Sequence, residues 1–182
     1  MSVPGPGPLP RAARTRRGDH GGVARLTPDD VACWLLKSAG TPAELPGPGE
    51  GPRRLRRCLR RSYRLDLVAP GQPCLLWVSG RDAPGVRALG TVAGPPGADD
   101  AVDVDLVTLR DPVPRTDLLL DDRFRTAEVV RMAAGSNPSY LTPRQLEAVL
   151  DLLARDERSR WERTVQTSAN ATSSSSSHGP PR

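Results

Sequence analysis

The sequence predicts a single α+β domain in which short strands outnumber helices, and three observations point there. Between about 30 and 155, apolar residues gather into short runs separated by Gly and Pro clusters, a spacing that suits a small β-rich domain better than a helical bundle. Val102, Val104, Leu106 and Thr108 alternate with Asp103, Asp105, Val107 and Leu109, the period of two of a strand with a buried face. Thr142 and Pro143, with Gln145 following, form a capping box in which side chains satisfy the free N–H groups of a new helix. A length of 182 residues suits one domain of about 100–150 residues plus tails.

The elements follow in order. Residues 1–30 are rich in Pro, Gly and Arg, and residues 156–182 run into the serines Ser173 to Ser177. Both have little to bury and read as disordered tails around a domain at 31–155. The continuous apolar run Val31 to Leu36 reads as a buried strand. Leu55, Cys58 and Leu59 recur at helical spacing among Arg53, Arg54, Arg56, Arg57, Arg60 and Arg61, which predicts a short amphipathic helix with a strongly positive outer face. A turn from Ala69 to Gln72 leads into a strand from Cys74 to Val78, and a turn from Ala83 to Gly85 into a strand from Arg87 to Val92. The final helix carries Leu146, Val149, Leu150 and Leu153 on one stripe, with Leu141 placed to staple onto Leu146. It closes the domain against the sheet.

Composition narrows the partners. A net charge of +5 favours an anionic partner, and nucleic acid is the first to consider because guanidiniums release counterions when they meet phosphates. Lys37 is the sole lysine, so the arginine excess also reflects the codon usage of a GC-rich genome. Cys33, Cys58 and Cys74 form an odd set without a C-x-x-C pair, which indicates neither a disulfide framework nor a zinc site and fits a reducing cytoplasm. Arg11, Arg14, Arg16 and Arg17 are followed by no apolar stretch, and no run approaches the roughly 20 apolar residues of a membrane span. His20 and His178 lie in the tails and no nucleophile motif is present, so no catalysis, metal or cofactor is expected, and the chain is expected to be a monomer.

Aromatic residues make up 3% of the chain, so each position is informative. Trp34 precedes Lys37-Ser38 and Trp77 precedes Ser79-Gly80, pairing a flat stacking surface with hydrogen-bonding groups, as an extruded base requires. Core packing is the alternative for each tryptophan alone. A lysine kept where every other basic position is arginine points to a compact ammonium, chance survival of one codon being the alternative. Asn137, in Gly135-Ser136-Asn137-Pro138, suits either a turn or the reading of a ligand edge. The Arg53 to Arg64 run reads either as a phosphate-holding surface or as a solvated face.

Trp34-Leu-Leu-Lys-Ser38, Tyr63, Pro70-Gly71, Leu75-Leu-Trp77-Val-Ser-Gly80, Gly85, Gly90 and Gly135-Ser-Asn137 with Leu141-Thr-Pro143, in this order over 32–154, resemble the EVE domain pattern. The opening W-x-x-K-S is also similar to the start of thymocyte nuclear proteins and, more distantly, of YTH domains of the same PUA-like superfamily. The resemblance implies a small PUA-like β-barrel flanked by short helices, with a pocket between the first strand and the strand ending in Trp77-Val-Ser-Gly80. It implies a ligand set of Trp34, Lys37, Ser38, Trp77, Ser79, Gly80 and Asn137. The chain departs from the pattern at Ala39-Gly40-Thr41-Pro42, where many members place an acidic or Asn residue directly before proline.

The expectation is a non-catalytic nucleic-acid-binding module that recognises a modified base in an aromatic-lined pocket, with Arg53, Arg56, Arg57, Arg60, Arg61 and Arg64 on the phosphates. Two alternatives stand beside it: a modified-nucleoside hydrolase of the ASCH-like type with Lys37 as base, and a protein-interaction module in which both tryptophans are core.

Overall fold

The computed structural model describes residues 25–175, with side chains as far as residue 171. Both histidines and the outer parts of the two expected tails lie outside that range. Six strands, β1 (Cys33–Ser38), β2 (Arg53–Cys58), β3 (Pro73–Val78), β4 (Gly85–Val92), β5 (Ala101–Pro114) and β6 (Ser139–Leu141), form one mixed sheet in the order β2-β5-β4-β3-β1-β6. Only β1 and β3 run parallel, in register from Trp34 opposite Cys74 to Ser38 opposite Val78. Three one-turn helices, α1 (Arg115–Leu118), α2 (Asp122–Arg125) and α3 (Glu128–Arg131), lead from β5 to β6. Helices α4 (Pro143–Leu150) and α5 (Arg155–Ser175) follow.

The strand period of two divides the core between the two faces of the sheet. On the face covered by the helices, Cys33, Leu35, Leu75, Trp77 and Leu89 pack with Phe124, Val149 and Trp161. On the other face, Trp34, Leu36, Cys74, Leu76, Val102, Val104 and Leu106 pack with Leu26, Leu55 and Val68. Gly90 is required by close approach, since a Cβ there would run into the backbone of Asp105 on β5. The expected strands near 31–36, 74–78, 87–92 and 102–109 are all present, the last extended to 14 residues. The capping box forms as expected: Gln145 N donates to Thr142 Oγ1 at 3.4 Å and Thr142 N donates to Gln145 Oε1 at 3.0 Å.

Three expectations are corrected. Residues 53–58 are not an amphipathic helix but edge strand β2, followed by a 3-10 turn at Tyr63–Leu67. The reason lies on β5, which sets Asp105 opposite Arg54 and Asp103 opposite Arg56, with Val104 receiving Leu55. Opposite charges across a ladder stabilise the strand pairing, and Leu55 is buried as well in a strand as in a helix. Residues 156–175 are not a tail but most of α5, whose Trp161 is 7% exposed and donates from Nε1 to Gly90 O at 3.3 Å. Residues 25–30 also belong to the fold, with Leu26 buried and its N–H donating to Tyr63 Oη at 3.0 Å.

The strand ladders do not close into a barrel, because β2 and β6 remain edges. Two side chains nevertheless join the edges. Asn137, two residues before β6, accepts at Oδ1 from Lys37 N at 3.0 Å and donates from Nδ2 to Cys58 O at 3.3 Å. Its own carbonyl accepts from Arg60 N at 2.6 Å. Arg64 forms a largely buried two-pronged pair with Glu128, both contacts at 2.7 Å, and also donates to Pro138 O. Ser139 Oγ donates to the same carboxylate at 2.6 Å.

Two outcomes test this architecture. Trp161→Ala is expected to lower the unfolding free energy by about 3–5 kcal/mol in chemical denaturation. Leu152→Ala, at a site 46% exposed, should stay within about 0.5 kcal/mol of the parent. Equal stability of the two variants would show that α5 contributes nothing. For Glu128, burial raises the pKa, but hydrogen bonds from Arg64 and Ser139 outweigh it and hold the carboxyl below the ordinary glutamate value. A carboxyl depressed in the folded state stabilises above its unfolded pKa of about 4.3, and that contribution is lost as pH falls through the folded pKa. Glu128→Gln should therefore destabilise by on the order of 3 kcal/mol at neutral pH. The deficit should shrink below about pH 4, as followed by denaturant midpoints. A deficit independent of pH would remove the ion pair as its cause.

Candidate nucleic-acid site at the carboxyl ends of the parallel strands

The parallel pairing delivers the ends of β1 and β3 side by side. Ser79 N donates to Ser38 O at 2.7 Å, which continues the ladder one step past the strands, and Ser38 Oγ donates to Gly40 O at 2.6 Å. Gly80 turns the chain away with φ +143°, where a Cβ would stand 3.0 Å from Ala39 O, so a side chain is disfavoured on both counts. Beside these ends opens a cavity of about 480 Å³ lined by Gly40, Thr41, Val78, Gly80, Asp82 and Arg87, among others. A concave surface with a few fixed polar groups is the usual form of a small-ligand site.

Arg87 is the residue that sequence reasoning missed. It sits at a register shift between β4 and β5, where Val86 faces Val113 and Ala88 faces Thr108. Such irregularities re-aim side chains next to sites. Arg87 donates to Ala83 O at 3.1 Å, and its Nε is buried with no acceptor among the described residues. No local sequence signal marks a bulge at this position.

The two tryptophans are not brought together. Trp34 is fully buried on one face of the sheet and donates from Nε1 to Gln72 Oε1 at 2.6 Å. Trp77 is 3% exposed on the opposite face and stacks on Phe124 with ring centroids 6.0 Å apart. Positions 34 and 77 fall out of phase along the parallel register, so alternation sends the indoles to different cores. They support the two strand ends from below, and the expectation that they form the walls of the pocket is corrected. Gln72, which also accepts from Ala69 N at 2.7 Å, is the partner that lets the Trp34 indole be buried.

Lys37 and Asn137 tie the end of β1 to the segment that leads into β6. The Lys37 ammonium donates to Ala133 O at 3.2 Å and to Met132 O at 3.4 Å. Burial lowers its pKa below the ordinary lysine value, an effect that the nearby Glu128 carboxylate opposes. Asn137 is committed to the seam with both ends of its amide.

The arginine run is more neutral than its composition implies. Arg53 pairs with Glu50 at 3.2 Å, Arg54 with Asp105 at 2.9 Å, and Arg56 with Asp99 at 2.7 Å and Asp103 at 3.2 Å. Arg64 is held by Glu128. Arg61 is 85% exposed and only loosely paired with Asp100 at 3.9 Å. Arg60 is exposed and enters no ion pair among the described residues, and Arg57 shares the inward face of Leu55 with its Nε lacking an acceptor. The positive helix face expected of residues 53–61 is thus replaced by an exposed Arg–Asp ladder, whose pairs each contribute about 0–1 kcal/mol. Among the described residues, no group of three or more His, Cys, Asp or Glu side chains is placed to hold a metal ion, and no helix is long and apolar enough to cross a membrane.

No family model matches the chain, and no curated protein matches it. Solved structures do resemble it. A hypothetical protein from Leishmania major superposes with a TM-score of 0.50 at 14% identity, covering 69% of this chain and 96% of the other. A Pseudomonas syringae protein gives 0.48 at 16% identity, covering 66% and 99%. Human THYN1, solved in complex with 5-methylcytosine-containing DNA, gives 0.44 at 14% identity, covering 66% and 96%. The likeness to the Leishmania major protein is one of fold.

Proposed function

We propose that this chain is a non-catalytic nucleic-acid-binding module of the EVE type, a PUA-like domain that holds a modified base at the carboxyl ends of β1 and β3. The observation that carries the reading is the cavity of about 480 Å³ at those ends, with the half-buried Arg87 in its lining. The order of the EVE-like motifs along 34–143 supports it, since Lys37-Ser38 and Ser79-Gly80 end side by side and lead into Ala39, Gly40 and Gly80 of the cavity lining. The Asn137 bridge between β2 and β6 supports reading the open sheet as a PUA-like barrel completed by side chains.

In this reading Ser38, Ser79, Gly80 and Arg87 present hydrogen-bonding groups to the base edge, and Thr41 and Val78 supply nonpolar contact. Lys37 and Asn137 fix the geometry, and Trp34 and Trp77 stiffen the two strands beneath. The phosphate contacts fall to Arg60 and Arg61, whereas Arg53, Arg56 and Arg64 already hold carboxylates and Arg57 is half-buried on the inward face. The hydrolase alternative has a poor base in Lys37, whose ammonium donates to two backbone carbonyls.

Fluorescence anisotropy of labelled single strands, unmodified or carrying 5-methylcytosine, 5-hydroxymethylcytosine or N6-methyladenine, tests the reading at two salt concentrations. One modification should be preferred by roughly tenfold or more, and Arg87→Ala should remove most of that preference. Arg60→Ala with Arg61→Ala should weaken every strand alike and flatten the salt dependence. Equal binding of all strands would reduce the protein to a basic surface, and no binding at low salt would sink the reading in favour of a protein-interaction module.

A further inference from the structure

The few rings that reach the surface do so away from the cavity. Tyr63 and Tyr140 are both partly exposed and line a cleft of about 460 Å³, together with Arg25, Arg131 and Met132. Each ring already carries a guanidinium, Arg25 at 4.3 Å over Tyr63 and Arg64 at 5.5 Å over Tyr140. Thr126 and Gln145, hydrogen-bonded to each other at 3.2 Å, line this cleft and also a second one of about 390 Å³ that contains Arg123 and Arg144, so the two clefts adjoin across a shared wall and together make up a groove.

The charges along the groove are of two kinds. Glu128 is answered by Arg64, and Arg123 by Asp121 and Asp151. Asp122 is answered by Arg125, while Arg25, Arg131 and Arg144 enter no ion pair among the described residues, so the uncompensated charge is positive, opposed by Asp30. The groove and the cavity are linked through Lys37, whose ammonium donates to the carbonyl of Met132 in the groove lining and which stands two residues before Ala39 in the cavity lining.

We infer that this groove takes the nucleotides flanking the recognised base on the same single strand, with a neighbouring base against Tyr140 or Tyr63 and its phosphates near Arg131 and Arg144. Aromatic rings with unpaired cations beside them are what a single strand needs: a π-surface for any base and a charge for the backbone. A duplex presents its bases stacked, so the groove selects single-stranded or locally opened nucleic acid. This inference rests on the base-binding reading of the adjacent cavity.

The test compares the full-length protein and its variants on two ligands carrying the preferred modification: the free nucleoside and a labelled eight-nucleotide single strand with the modified base at its centre. Tyr140→Ala should weaken the strand by roughly tenfold and leave the nucleoside unchanged, with Tyr140→Phe behaving as the parent. Arg131→Ala combined with Arg144→Ala, at the rim and outside the core, should flatten the slope of log affinity against log salt by about 1.4. This second variant decides the matter if Tyr140→Ala fails to fold. Strand affinity and salt slope both unchanged, with nucleoside selectivity intact, overturn the groove and leave the base site standing. Loss of selectivity for the nucleoside in the parent protein instead removes the base-binding reading, and the inference with it.

Discussion

The parallel pairing of β1 with β3 is the constraint from which the rest of the molecule follows. Both strands are buried on both faces, and their register sets Trp34 against Cys74 and Ser38 against Val78. A parallel pair needs a long crossover, and residues 39–72 supply it while also contributing edge strand β2 and the turn that carries Tyr63 and Arg64. Because the two strands end together, their polar ends, Lys37-Ser38 and Ser79-Gly80, emerge at one place beside a cavity. The same register sends the two indoles to opposite faces, where they fill core volume and hold the strand ends rigid.

Closure of the sheet is left to polar side chains. Asn137 spends its amide on Lys37 N and Cys58 O, and Arg64 spends its guanidinium on Glu128 and Pro138 O. Partly buried groups of this kind are costly unless each is satisfied, and here they satisfy one another across elements that share no ladder. Charge is distributed in the same spirit. Acidic residues of β5 and its preceding loop neutralise Arg54 and Arg56, while Arg60, Arg131 and Arg144 enter no ion pair among the described residues.

Much was legible in the sequence because it depended on neighbours along the chain. The capping box at Thr142, the alternation through Val102 to Leu109 and the apolar runs ending at Leu36 and Val78 involve contacts within a few residues, so the expected elements are present. The Arg53–Leu59 segment was ambiguous for a physical reason: Leu55, Cys58 and Leu59 fit a helical stripe, whereas the partners that make a strand, Asp103 and Asp105, lie more than 40 residues away. Trp161 and Val165 stand four apart in a segment otherwise polar, a weak helical signal that the serine run obscured.

By itself the sequence determined the class of fold, the positions of four of the strands and of helix α4, the positive charge, and which polar residues end β1 and β3. Tertiary structure alone decided which face each tryptophan occupies, that a run of arginines becomes a neutralised edge strand, and that Arg87 is turned toward the cavity by a bulge. It also decided that Tyr63, Tyr140, Arg25 and Arg131, far apart in the chain, line one cleft. The division follows from range: local periodicity and capping are set by residues three or four apart, whereas the destination of a side chain depends on register with strands distant in the chain, which no local pattern encodes.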